Sequence, residues 1–136
     1  MGDGLRTIRV VTNDESLFAN ARAAASTIEG WEVVQTSSLS EIVEHAPPPG
    51  DVILLDTWLR GGNVYEGCKR LSGTLRCRTY VVTEHGNRLA EPIARFCGAT
   101  GVIERPISPT RLRAAIDSTA GPRPAHDGRH LVGRPW

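Results

Sequence analysis

The run of apolar residues in the segment DVILLD, residues 51–56, is the feature that most constrains the fold of this chain. Four apolar residues, Val52 to Leu55, follow one another without the alternation typical of a half-exposed strand. Such a run indicates a strand that is buried on both faces, as the central strands of parallel sheets are. The segment therefore predicts a central parallel strand, and its last residue, Asp56, is either a turn residue or a reactive carboxylate at the strand tip.

Further short segments rich in β-branched residues are predicted to form strands, and helical patterns separate them. The predicted strands are residues 7–12, 31–36, 51–56, 77–83 and 100–104. The predicted helices are residues 17–28, 38–46, 63–72, 88–98 (weakened near Pro92) and a last helix that Ser108 caps with Pro109 at its first position. Five such units predict an α/β fold, a doubly wound parallel sheet with helices on both faces and right-handed crossovers.

The domain organisation follows from a change in composition near residue 120. Residues 1–120 are predicted to form one domain, whereas residues 121–136 are rich in Gly, Pro and Arg and lack any period. We interpret this tail as a flexible extension or the start of a linker. The net charge of +1 argues against a nucleic-acid partner. Neither a membrane span nor a signal peptide is expected from the sequence, so we expect a cytoplasmic location.

Polar side chains follow several of the predicted strands at the point where each strand ends. Asp14 lies just beyond the first strand, Asp56 ends the third, Thr83 ends the fourth, and Arg105 follows the fifth. In doubly wound sheets the carboxyl ends of the strands face one crevice, where ligands bind. Each residue alone has an ordinary interpretation, such as a helix cap for Asp14. Together they predict a functional site with two acids, a hydroxyl and a guanidinium.

The segments VVTNDES, VILLDTWL, YVVTEHG and GVIERPIS resemble, in order and approximate spacing, the motifs of receiver domains of two-component response regulators. The resemblance covers roughly residues 5–120. It implies a five-stranded flavodoxin/CheY-like (βα)5 fold with strand order 2-1-3-4-5. It also implies a phosphoryl acceptor in a phosphorelay rather than an enzyme.

The resemblance implies a role for each residue at the strand ends. Asp56 matches the phosphoacceptor, and a carboxylate can act as the nucleophile that forms an acyl phosphate. Asp14 and Asp56, with the backbone carbonyl of Trp58, match the ligands of Mg²⁺, a hard cation that prefers oxygen donors. Thr83 matches the hydroxyl that turns toward the phosphoryl group.

Arg105 and Pro106 match the Lys-Pro pair of the receiver family, which has a cis peptide bond and directs a cation toward the phosphate. The pattern departs from the family at four positions: Glu84 stands where the family favours a small residue, and the other three are predicted site residues. Asn13 replaces the first acid of an acidic pair and would reach the metal only through water, which lowers the expected affinity for Mg²⁺. Arg105 replaces a lysine, and a planar guanidinium is not equivalent to an ammonium group. Val102 occupies the position of the aromatic switch residue, so the usual coupling to Thr83 cannot operate in that form.

Two hypotheses remain open at this point. In the first, a histidine kinase or phosphotransfer protein phosphorylates Asp56, and the face formed by the fourth helix, fifth strand and fifth helix binds a target or a second copy of the chain. In the second, the chain is an atypical receiver, a protein-interaction module that is independent of phosphorylation. A nucleotide-binding enzyme is disfavoured, because the sequence contains neither G-x-G-x-x-G nor G-x-x-x-x-G-K-[ST].

Overall fold

A computed structural model describes residues 6–59, 63–72 and 77–118, and the tail predicted for residues 121–136 lies outside this range. Within the described range, five strands alternate with five helices. The strands are β1 (Arg6–Val11), β2 (Trp31–Thr36), β3 (Val52–Asp56), β4 (Arg78–Thr83) and β5 (Gly101–Glu104). The helices are α1 (Glu15–Ala25), α2 (Leu39–Glu44), α3 (Val64–Ser72), α4 (Ala90–Phe96) and α5 (Pro109–Asp117).

The five strands form one parallel sheet in the order β2-β1-β3-β4-β5. This order confirms the predicted doubly wound topology. All residues of β3 are buried, as the unbroken apolar run in its sequence predicted. Because β3 lies at the centre of the sheet, its C-terminal residue is surrounded by the ends of neighbouring strands.

Two apolar layers cover the two faces of the sheet, because successive strand residues point to opposite sides. Leu54 packs with Leu17 of α1 and Leu112 of α5. Its neighbour Leu55 belongs to the other layer, which includes Cys68 of α3 and residues of α2 and α4. Among the described residues, no helix is both long enough and apolar enough to span a bilayer.

Short polar side chains begin four of the helices. Asp14 Oδ1 accepts the N–H of Ser16 at 2.9 Å at the start of α1. Ser38 caps α2, Asn63 caps α3 and Ser108 caps α5. These caps satisfy N–H groups that have no partner inside the helix, and they fix where the chain leaves the C-terminal edge of the sheet.

The structure differs from the sequence prediction at the start of α4. The helix begins at Ala90 rather than near Arg88, so Pro92 lies in its first turn. The N–H groups of a first turn have no partner within the helix, and a proline is tolerated there. The position of Pro92 therefore gives no reason to expect that it weakens or bends α4.

Candidate functional site

The C-terminal edge of the sheet brings polar side chains from several elements into one crevice. Asp56 is the last residue of β3, and Thr12 and Asp14 follow β1. Trp58 lies in the loop after β3, and Arg105 lies just beyond β5. We call the site formed by these five residues the Asp56 crevice.

Both carboxylate oxygens of Asp56 have hydrogen-bond donors, and the residue is only 1% exposed. Its Oδ2 accepts the hydroxyl of Thr12 at 2.6 Å. Its Oδ1 accepts the backbone N–H of Trp58 at 2.8 Å and also contacts the guanidinium of Arg105. A buried carboxylate is stable only with such partners, so the charge of Asp56 is compensated in this arrangement.

Thr12 connects the two acids of the Asp56 crevice. Its fully buried hydroxyl donates to Asp56 and accepts the backbone N–H of Asp14 at 2.9 Å. Sequence reasoning gave no role to this residue. The signal that could have found it is its position, since a polar side chain at the end of β1 belongs to the same strand-end set as Asp14.

Arg105 is the cation of the Asp56 crevice and contacts both acids. One terminal nitrogen of its guanidinium contacts Oδ1 of Asp56, and the other lies 3.7 Å from Oδ2 of Asp14. The Asp14 side chain is 38% exposed and also caps α1 through its other oxygen. One guanidinium therefore serves two carboxylates, one deeply buried and one at the rim.

The indole of Trp58 covers the guanidinium of Arg105. The Cζ atom of Arg105 lies 3.8 Å from the centroid of the indole ring, which is the geometry of a close cation–π contact. Trp58 itself is 56% exposed. Sequence reasoning gave Trp58 only a backbone role, and the contact of its side chain was missed.

One backbone hydrogen bond and two side-chain hydrogen bonds from Asn20 hold the segment that carries Arg105. Its N–H donates to the carbonyl of Thr83 at 2.8 Å, and the Arg105–Pro106 peptide bond is cis. Asn20 of α1 then binds the backbone of Ile107 twice, accepting its N–H at 2.7 Å and donating to its carbonyl at 3.0 Å. Sequence reasoning also missed Asn20, because its partner lies 87 positions away.

Three residues that the resemblance brought to the site have other contacts in the structure. The buried hydroxyl of Thr83 accepts from Nδ2 of Asn87 at 3.3 Å. Asn13 donates from its Nδ2 to the carbonyl of Ser37 at 3.2 Å. Val102 packs against the apolar layer that includes α3 and α4. Their roles toward a phosphoryl group, a metal or a switch stay predictions.

The oxygen donors of the Asp56 crevice suit a hard divalent cation in kind, since the carboxylates of Asp14 and Asp56 lie on either side of one guanidinium. Within the described ranges, no group of three or more His, Cys, Asp or Glu residues could hold a metal. The donor chemistry thus fits Mg²⁺, but only these two side chains supply it. In this structure the cation that contacts both is Arg105.

The cysteines offer no second reactive site. Cys68, Cys77 and Cys97 are all buried and free. Burial raises the pKa of Cys68 to about 12 and that of Cys77 to about 11, and it also raises the pKa of Cys97. These thiols stay protonated near neutral pH, which suits packing rather than nucleophilic or metal chemistry.

Solved structures establish the type of fold. The receiver domain of the TMAO respiratory system response regulator TorR matches with a TM-score of 0.68 and 23% identity, covering 82% of this chain and 92% of that chain. A response regulator receiver domain protein from Clostridium thermocellum matches with a TM-score of 0.67 and 22% identity, covering 83% and 92%. A protein named for pilus assembly (cpaE), from Burkholderia thailandensis, matches with a TM-score of 0.66 and 17% identity, covering 84% and 100%.

The chain therefore has the fold of response regulator receiver domains, and the resemblance inferred from its four sequence motifs is confirmed at the level of fold. No protein-family model matches the chain, and no curated protein matches its sequence.

Proposed function

We propose that the chain is a receiver domain of a two-component signalling system and that Asp56 accepts a phosphoryl group. The observation that supports this function is the Asp56 crevice itself. A strand-end carboxylate contacts a guanidinium, and a buried hydroxyl links it to a second acid. In this proposal the domain is a phosphoryl acceptor rather than an enzyme, and it acts in the cytoplasm with a histidine kinase or phosphotransfer protein.

The two oxygens of Asp56 have different surroundings, and this difference supports one of them as the proposed nucleophile. Oδ2 is held by the fully buried Thr12, whereas Oδ1 faces Arg105 below the exposed indole of Trp58. A phosphodonor can approach only from the exposed side. We therefore assign Oδ1 as the attacking oxygen, which keeps the backbone N–H of Trp58 as a donor and requires Arg105 to move aside from its present contact.

In the proposed step, Oδ1 attacks the phosphorus of a phosphohistidine, the P–N bond breaks, and the imidazole keeps the bonding electrons. The product is an acyl phosphate on Asp56. Arg105 can then bind the phosphoryl oxygens through its planar fork, and the hydroxyl of Thr83 can exchange Asn87 for the phosphoryl group. A divalent cation held by Asp14, Asp56 and the carbonyl of Trp58 would offset the negative charge of the incoming phosphate.

The proposed output face is the groove between α4, β5 and α5. It has a volume of about 380 Å³, and Tyr80, Val102 and Arg111 are among its lining residues. Glu91 and Arg95 of α4 form an ion pair at 2.9 Å beside it. Val102 lies in β5 and Arg105 directly follows this strand. A movement of Arg105 in the Asp56 crevice can therefore displace the part of β5 that lines this face. A target protein or a second copy would bind there.

The test is phosphorylation by acetyl phosphate with Mg²⁺, followed by intact mass measurement. We expect one added phosphate on the wild-type chain and none on Asp56→Asn. Asp117→Asn, which removes an exposed carboxylate from the end of α5, should keep the adduct. A phosphate that persists in Asp56→Asn would refute the assignment.

A second function, a protein-interaction module independent of phosphorylation, is favoured by the contact of Arg105 with both acids. If the wild-type chain takes no phosphate, the double variant Asn13→Asp, Arg105→Lys distinguishes the causes. A phosphate on the double variant alone would show that those two residues prevent the reaction in the wild-type chain. A double variant that also stays unmodified would remove that explanation.

A further inference from the structure

We propose that Arg105 competes with a divalent cation for the Asp56 crevice, and that the indole of Trp58 is the positioning residue that favours Arg105 in this competition. The inference concerns regulation of the same site and rests on the proposed function for its biological meaning. Its physical basis is independent of phosphorylation, because it concerns only which cation binds the two carboxylates.

The first step is that Arg105 and a divalent cation need the same two carboxylates. The guanidinium contacts Oδ1 of Asp56 and lies 3.7 Å from Oδ2 of Asp14. Mg²⁺ binds carboxylate oxygens at about 2.0–2.1 Å and demands a near-octahedral set of ligands. A cation placed there would meet the guanidinium at contact distance, and like charges repel strongly where the side chains of Arg105 and Asp56 are only 13% and 1% exposed. The two occupants therefore exclude each other.

The second step is that Trp58 stabilises Arg105 in its contact with the two carboxylates. Its ring lies 3.8 Å from Cζ of Arg105, closer than the 5.7 Å of the contact between Arg6 and Trp31. Trp58 is 56% exposed and belongs to neither apolar layer of the sheet. Cation–π contacts of this kind are expected to favour the bound guanidinium by about 3- to 30-fold. The indole thus acts on metal binding through Arg105, without contacting the metal.

The third step is that the conformation in which Arg105 contacts the two carboxylates leaves one hydrogen-bond donor without a partner. The Nε–H of Arg105 is buried and has no acceptor among the described residues. A buried donor without a partner opposes the conformation that contains it. Arg105 can therefore leave when a stronger ligand arrives, and the apparent affinity for a divalent cation depends on the fraction of molecules in which it has left.

The experiment is a calorimetric titration of the full chain with MgCl₂. We expect Trp58→Ala to bind Mg²⁺ about 3- to 30-fold more tightly than the wild-type chain, and Trp58→Phe, which keeps a ring, to lie between them. Arg105→Ala should bind most tightly. The informative variant is Trp58→Ala, because it leaves every charge in the crevice unchanged.

Trp31→Ala is the matched control. Among the described residues it removes the second indole that contacts an arginine, at the start of β2 and roughly 20 Å along the strand from the crevice edge. We expect it to leave Mg²⁺ affinity unchanged. A cooperative thermal unfolding transition establishes that each variant is folded. If Trp58→Ala does not fold, the Mg²⁺ affinity of Trp58→Phe tests the role of the indole.

An affinity in Trp58→Ala that is equal to or weaker than that of the wild-type chain would overturn the role of the indole. Absence of binding in every variant, including Arg105→Ala, would overturn the competition. If Mg²⁺ affinity rises as expected but no phosphate appears on Asp56, the competition stands and the proposed phosphoacceptor function fails. If Asp56 is phosphorylated but Trp58→Ala binds Mg²⁺ no more tightly than the wild-type chain, the proposed phosphoacceptor function stands and the role of the indole fails.

Discussion

Two aspartates at opposite ends of one strand show what distinguishes a structural carboxylate from a candidate reactive one. Asp51 directly precedes β3 and Asp56 ends it, and they are 4% and 1% exposed. Each accepts a backbone N–H, and each pairs with an arginine. Burial and pairing alone therefore do not separate them.

The difference lies in where the partners come from. Asp51 accepts the N–H of Thr7 at 3.2 Å and the Nε–H of Arg9 at 3.3 Å, and both residues belong to the adjacent strand β1. Sheet hydrogen bonds hold that strand in place. Asp56 instead shares Arg105 with a second acid, and Arg105 follows a strand rather than lying within one. The partners of Asp51 thus come from one strand, whereas at Asp56 two carboxylates from separate elements share one guanidinium.

The largest expected effect tests whether Asp51 is the structural member of this pair. We expect Asp51→Ala to lower the free energy of unfolding by about 2 to 3 kcal/mol, because it leaves the N–H of Thr7 and the guanidinium of Arg9 without their partner. Asp56→Ala should lower it by only about 1 kcal/mol. In that variant the guanidinium of Arg105 keeps Asp14 and the indole of Trp58, and only the neutral donors of Thr12 and Trp58 lose their acceptor.

Urea denaturation of both variants measures these free energies, with Asp51→Asn and Asp56→Asn as controls that keep the side-chain volume. Equal losses at the two positions would show that the crevice contributes as much to stability as the opposite end of the sheet. A larger loss at Asp56 would reverse the distinction.

The fold could be predicted from the sequence because its signals are local. The apolar run of β3 and the helical spacing of residues such as Leu17 and Leu112 depend only on near neighbours in the chain. The order of the five strands came from the resemblance to receiver domains, since periodicity does not state which strands are adjacent.

The candidate site could be predicted in position but not in its contacts. Strand ends placed Asp14, Asp56 and Arg105 at one edge, because parallel strands of a doubly wound sheet end together. The stacking of Trp58 on Arg105 depends on two loop conformations, and no local pattern encodes it. The clasp between Asn20 and Ile107 could not be foreseen for the same reason.

A smaller effect is expected from loosening the segment that carries Arg105. Asn20→Ala removes both hydrogen bonds to Ile107, and we expect the free energy of unfolding to fall by about 1 to 2 kcal/mol. Asn20→Asp keeps the acceptor and loses the donor, so its effect should be roughly half. The comparison variant is Asn13→Ala, at an exposed site, which should cost less. If Asn20→Ala changes nothing, the position of Arg105 does not depend on α1.

The smallest expected effect concerns Cys77, whose pKa depends in part on the charge of Asp51. The pKa of this thiol is raised to about 11, first by burial and then by the charge of Asp51, while Arg9 and Arg78 oppose the shift. The ordinary pKa of an exposed cysteine thiol is 9.0. The unfolded chain thus loses this proton first, and Cys77 reduces stability as the pH rises above about 9.

Removing the charge of Asp51 should therefore lower the pKa of Cys77 and increase the fraction of reactive thiolate at any pH below it. We expect iodoacetamide to modify Cys77 faster in Asp51→Asn than in the wild-type chain between pH 8 and pH 10, by a few-fold because burial is the larger cause. Peptide mapping by mass spectrometry follows this cysteine separately from Cys68. Asp56→Asn should leave the rate unchanged, because Asp56 lies at the other end of β3. Equal acceleration in both variants would indicate general opening of the sheet rather than a local effect of charge.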